Sequence, residues 1–277
     1  MKKIVCFLLF PLLFAGFQPA KKTWVAIGDS ITYLNDHADE TGNRVQKGYL
    51  TRVTEKLSSV DFINKGYNGW TVVRIATEIE KLGIPKADIY SVFLGTNDWW
   101  QGKPLGTLED YKNGTGVGTV CGAYRIIIDK IRSLNPEAKI LLITPMQRVD
   151  FVYLGNYKNN AYGSYKDKNG QQLEQFADAI TAIAKEQNFP LVDLYHNRSL
   201  AMSKLVRFKR VKDPATAGAY RNYTYPEFIG VPFDPEKDEY PYPLESIGMT
   251  YDGLHPSNAG NAEIAKQVIR KFTKWVR

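Results

Sequence analysis

Cysteine and histidine are scarce in this chain, which carries two of the first and three of the second among 277 residues. Cys6 lies in an N-terminal apolar run, so removal of that run leaves Cys121 alone and excludes a framework of internal disulfides. Cys121 itself sits in an apolar helical stretch and reads as a buried, inert thiol. Low-complexity tracts, internal repeats and linkers are lacking, which argues for a single folded domain over residues 21–277. No apolar run reaches the roughly 20 residues that a membrane-spanning helix needs. Nor is there a large surplus of one charge. The formal +7 includes Lys2 and Lys3, and the remainder is spread out except at Arg207, Lys209, Arg210 and Lys212, a cluster expected to form a solvated face. A nucleic-acid binder would show a basic stripe on a recognised module, and none is seen.

What the chain does have begins at its N-terminus. Lys2 and Lys3 precede an apolar stretch from Ile4 to Phe17, then Gln18-Pro19-Ala20 and a polar restart at Lys21. That is the layout of a secretory signal peptide, with cleavage expected between Ala15 and Ala20. The expected product is exported, periplasmic or secreted, and keeps no stable membrane anchor. No Leu-Ala-Gly-like segment precedes Cys6, so a lipid attachment site is not indicated.

The rest alternates short β-branched runs with longer amphipathic stretches. Strands are expected at Thr23–Ile27, Phe62–Asn64, Ile89–Leu94, Ile140–Thr144 and Leu191–Leu194. Helices are expected at Tyr49–Leu57, Val72–Lys81, Val117–Leu134, Leu173–Gln187 and Ala259–Trp275. Such alternation implies βαβ crossovers, hence an α/β fold with a parallel five-stranded sheet covered on both faces. Two long segments, at about 145–171 and 195–256, break the rhythm. Each follows a strand, at the carboxyl edge where ligands bind in open sheets, and segments of this length commonly bind ligands or close over them. Their tyrosines could equally pack down to cover the core.

Three short blocks carry chemistry. Gly28-Asp29-Ser30 follows the first strand and presents a hydroxyl at a turn. Gly95-Thr96-Asn97-Asp98 follows the third strand in the same way, and Asp252-Gly253-Leu254-His255-Pro256 precedes the last helix. A carboxylate three residues before a histidine can accept from its Nδ1 and so turn Nε2 toward a serine. The Asn97 amide and the backbone N–H groups of Ser30 and Gly69 can donate to an oxyanion. His37 has no framed partner, and His196, beside Asn197, reads as structural, with a substrate contact as the alternative. Each block alone is an ordinary turn or cap. Together they arise by chance on the order of once in a thousand chains of average composition.

With these blocks the chain resembles the SGNH hydrolase (GDSL-like lipase/acylhydrolase) family: Ser30 in Gly-Asp-Ser, Gly69 in Asn64-Lys65-Gly66-Tyr67-Asn68-Gly69, Asn97 in Gly-Thr-Asn-Asp, and Asp252 with His255. The resemblance implies a flavodoxin-like three-layer sandwich. It implies a catalytic triad of Ser30, His255 and Asp252, an oxyanion hole from Ser30, Gly69 and Asn97, and ester hydrolysis without metal or cofactor. Trp99 and Trp100 follow the Asn97 turn and are expected to flank the site. With Tyr153, Tyr157 and Tyr162 they suggest aromatic platforms for a sugar. Arg148, just after the fourth strand, is a further candidate contact, although an ordinary surface arginine is the plainer expectation. An exported esterase with aromatic walls resembles the carbohydrate O-acetylesterases of the family. A lysophospholipase or thioesterase is the second reading, and a non-catalytic carbohydrate-binding protein on the same fold is the third.

Overall fold

Alternation of side chains along three strands divides the interior into two cores, one on each face of a single sheet. In the computed structural model, which describes residues 20–216 and 218–276, β1 (Lys22–Gly28) turns Val25 and Ile27 to one side and Trp24 and Ala26 to the other. β3 (Ile89–Phe93) and β4 (Lys139–Ile143) repeat the pattern, with Tyr90, Val92, Ile140 and Leu142 on the first side. Ile89, Phe93, Leu141 and Ile143 lie on the second. A period of two places alternate residues on opposite faces, so a strand apolar throughout must be covered twice.

The sheet has five parallel strands in the order β2-β1-β3-β4-β7, where β2 is Val60–Gly66 and β7 is Leu191–Val192. α3 (Val72–Glu78), α5 (Leu108–Asn113), α6 (Val120–Leu134) and α7 (Leu173–Glu186) cover the first face. α2 (Tyr49–Lys56) and α9 (Asn258–Phe272) pack together on the second. Caps set where these helices start. Thr119 accepts from Gly122 N–H, so α6 begins at Val120 rather than at the expected Val117. Ser257 accepts from Ala259 and Gly260, which starts α9 at Asn258, and the helix closes at Phe272, short of the expected Trp275.

The two long segments carry structure that apolar periodicity does not reveal. In the first, β5 (Phe151–Val152) and β6 (Asn160–Ala161) form a small antiparallel ribbon. In the second, α8 (Met202–Leu205) precedes an antiparallel hairpin of β8 (Lys209–Lys212) and β9 (Tyr220–Tyr223). Much of the second segment packs down: Leu205, Val211, Phe228 and Tyr242 are buried in the second core. Lys209 corrects the reading of its basic cluster as a solvated face. It is buried and pairs with Asp150 at 2.6 Å, because the alternation of β8 turns it inward with Val211. Cys121 is buried in α6, and burial pushes its thiol up to about 11.

The expected signal peptide, residues 1–20, lies outside the described residues apart from Ala20. No described helix is long and apolar enough to cross a membrane.

Candidate active site

The sheet order brings the ends of β1, β2 and β3 side by side, and each hands its chain to one block of the site. After β1, Asp29 caps the short helix α1 (Ser30–Tyr33) by accepting from Ile31 N–H at 3.0 Å. Ser30 therefore opens a helix at a tight turn. The turn needs glycine at position 28, where a β-carbon would stand 2.1 Å from Thr32 Oγ1 and 3.2 Å from the Phe93 carbonyl.

The loop before α9 supplies the partners. His255 Nε2 lies 2.8 Å from Ser30 Oγ, and its Nδ1 lies 2.7 Å from Asp252 Oδ2. The other oxygen of Asp252 accepts from the N–H groups of Leu254 and His255, so the carboxylate is fixed by its own loop. With Nδ1–H donated to Asp252, the lone pair on Nε2 faces the serine. Phe151 packs edge-on to the imidazole, with ring centres 5.5 Å apart, and Tyr251 stacks on it at 5.9 Å. The loop is held from outside as well: Val149 N–H donates to Gly253 O and Val152 N–H to Asp252 O. Burial works against a charged His255, yet the Asp252 and Asp29 carboxylates outweigh it and raise its pKa above the ordinary 6.5.

Asn97 lies in α4 (Thr96–Trp100), after the end of β3. Its amide donates to the Trp70 carbonyl at 3.0 Å, which fixes the side chain and leaves a second N–H. Gly69 lies in the loop before α3. Asp98, whose role was not apparent from the sequence, ties α4 to the start of α3. It is fully buried, and its carboxylate accepts from the N–H groups of Val72 and Val73 at the start of α3. Burial lifts the Asp98 pKa to about 7 and that of Asp29 to about 6.

Ser30, Gly69, Asn97 and His255 share one cavity of about 310 Å³. This arrangement can move a proton from Ser30 Oγ to His255 and hold N–H donors near an oxyanion. Trp100 and Arg148 line the same cavity. Trp99 does not; it is buried in the first core, with its indole N–H on the Gln171 carbonyl at 2.9 Å. In so short a helix adjacent residues point in different directions, so one tryptophan of the pair faces the core. Arg148 is no surface residue, being only 2% exposed. Its burial lowers its pKa to about 10, opposed by Asp150 and Asp252, and the group stays charged at neutral pH.

Tyr153 also lines the cavity, whereas Tyr157 packs against Tyr240. Phe151 and Tyr251 were missed from the sequence; Tyr251 directly precedes the Asp-His block, the one signal that pointed to it. His37 stacks on Tyr33, and His196 is held by Asp193 at 2.9 Å, both outside the cavity. Among the described residues no three His, Cys, Asp or Glu side chains gather in a group that could hold a metal ion.

Comparison with known proteins gives a family and a fold. The model of the GDSL-like lipase/acylhydrolase family matches residues 26–263. The crystal structure of a possible lipase from Chitinophaga pinensis DSM 2588 is 59% identical and superposes with a TM-score of 0.90, covering 92% of this chain and 99% of that one. A mutant acetyl-xylooligosaccharide esterase from Geobacillus stearothermophilus is 20% identical over 91% of this chain and 94% of that one, with a TM-score of 0.50. A lipase/acylhydrolase from Enterococcus faecalis is 17% identical over 91% and 96% of the two chains, also at 0.50. These last two share the fold. Among curated proteins there is no match.

Proposed function

The chain belongs to the GDSL-like lipase/acylhydrolase family and hydrolyses ester bonds, and from that premise we propose that it is an exported serine esterase acting on O-acetylated carbohydrates. One observation carries the catalytic part: the continuous chain from Ser30 Oγ through His255 to Asp252, with contacts of 2.8 and 2.7 Å. His255 takes the Ser30 proton as the oxygen attacks the ester carbonyl. The oxyanion is met by the N–H groups of Ser30 and Gly69 and by the Asn97 amide. His255 then protonates the leaving alcohol, and a water deprotonated by the same imidazole releases the acid from Ser30. Asp252 keeps the neutral imidazole in the required tautomer and stabilises the imidazolium formed between the proton transfers.

The acetyl-carbohydrate reading rests on this chain's own cavity. Asn68, Gln101, Asn159 and Arg148 stand around it beside Trp100 and Tyr153, groups that can meet sugar hydroxyls and rings, while Leu34, Phe151, Ala161 and Leu254 add apolar surface that can seat an acyl group. Export rests on the Lys2–Ala20 layout. Parallel assays of 4-nitrophenyl acetate and 4-nitrophenyl decanoate test the substrate class. Acetate is expected to be strongly preferred, followed by release of acetate from acetylated oligosaccharides. Preference for decanoate would move the protein to lipid esters.

A further inference from the structure

Arg148 brings a full positive charge into the cavity with almost nothing to answer it. A guanidinium offers five N–H donors. Here Nη2 donates to the Tyr162 carbonyl at 2.9 Å, while Nε is buried without any partner among the described residues. The two carboxylates whose charges act on it are engaged elsewhere, Asp150 with Lys209 and Asp252 with His255. The cation instead lies against indole rings, with Cζ 5.2 Å from the Trp99 centroid and 4.9 Å from that of Trp100. A second cation stands at the same corner: Lys168 Nζ is 4.5 Å from the Trp100 centroid. No ion pair among the described residues engages it.

This corner differs from the sugar-stacking platform expected from the sequence. The Trp100 ring is approached by two cations and edge-on by Tyr162, at 4.9 Å and 73°. Its chemistry is that of an anion site backed by aromatic rings. A residue present for packing alone would do better as an apolar side chain of similar volume, because burying an unpaired charge is costly. The planar guanidinium fork matches a planar carboxylate.

We propose that Arg148 recognises an anion on the substrate, and that the protein acts on esters of acidic sugars, in which a carboxylate lies within one residue's reach of the ester. The inference rests on the esterase reading above and adds the charge of the substrate.

The test compares acetate release from an O-acetylated methyl glucuronoside and from its 6-carboxamide, which keeps the size and planarity of the carboxylate and lacks its charge. The wild type should favour the carboxylate by about tenfold to a hundredfold in kcat/KM, and Arg148→Gln should bring the ratio close to one, whatever its absolute rate. Arg148→Lys should restore it in part. Equal kcat/KM for the two compounds in the wild type would overturn the proposal and leave the esterase reading standing. Should Arg148→Gln fail to fold, inhibition of wild-type 4-nitrophenyl acetate turnover decides: glucuronate must inhibit, more weakly as salt rises, and glucose must not. Should no ester be cleaved, the esterase reading falls, and quenching of tryptophan fluorescence by glucuronate against methyl glucoside still decides. Saturable quenching by glucuronate alone supports the anion site, and identical responses refute it.

Discussion

Gly253 lies so close to the carbonyl oxygen of Asp150 that a β-carbon there would stand 2.1 Å from it. Its φ of +92° is a conformation that other residues rarely adopt. The contact seats the Asp252–His255 loop against the backbone entering β5. Gly253→Ala is therefore expected to push the loop off that seat and lengthen the His255–Ser30 contact. We expect kcat/KM to fall by about tenfold or more and stability to drop by about 1–3 kcal/mol. Steady-state kinetics and urea unfolding check this, and unchanged values of both would contradict the clamp.

Asp150 is held from three directions. Lys209 Nζ pairs with one carboxylate oxygen, Gly163 N–H and Tyr165 O–H donate to the other, and Tyr242 O–H donates to its carbonyl. Both long segments meet at this residue. Lys209→Met leaves a largely buried carboxylate without its cation and should cost about 3–5 kcal/mol. Thermal and urea unfolding measure it, and a loss below about 1 kcal/mol would show that the pair is dispensable.

His255 must be neutral to accept the Ser30 proton. Its pKa is held above 6.5, chiefly by Asp252 against the effect of burial. Activity should therefore fall on the acid side through a single ionisation whose midpoint lies above 6.5 in a plot of kcat/KM against pH. Asp252→Asn removes the main charge holding that proton, so the remaining activity should show a lower midpoint. A midpoint that stays in place would mean another group sets the profile.

Asp98 bears on stability and not on proton transfer. Burial raises its pKa from 3.8 to about 7, so between these values the folded protein binds a proton that the unfolded chain has lost. Stability from this group is thus present below about pH 4 and declines as pH rises toward 7. Asp98→Asn cannot ionise, and the difference in unfolding free energy, wild type minus variant, should become less favourable to the wild type over that range. A difference that stays flat with pH would contradict a protonated Asp98 in the fold.

Those residues differ in how far the sequence announced them. The five sheet strands were legible because β-branched runs lie between amphipathic stretches, and the three blocks because a strand end, a turn and a reactive side chain occur within a few neighbouring residues. Ser30, His255, Gly69 and Asn97 do meet at one cavity, with Asp252 behind His255. The orientation of Trp99 was not legible, because helical phase in a helix as short as α4 has no periodicity to read. Nor was the burial of Arg148 and Lys209. Lys209 lies in a four-residue strand and Arg148 in the irregular stretch before β5, both in long segments where tertiary contacts alone decide which side is inside. Asp98 stood in view within its block, yet its partners Val72 and Val73 belong to the start of α3, more than twenty residues earlier.

The claim on which the rest depends is that Ser30 attacks the ester. Turnover of 4-nitrophenyl acetate by Ser30→Ala, purified beside the wild type and shown to be folded, tests it most directly. A loss of at least about a thousandfold in kcat is expected. Turnover close to that of the wild type would contradict it.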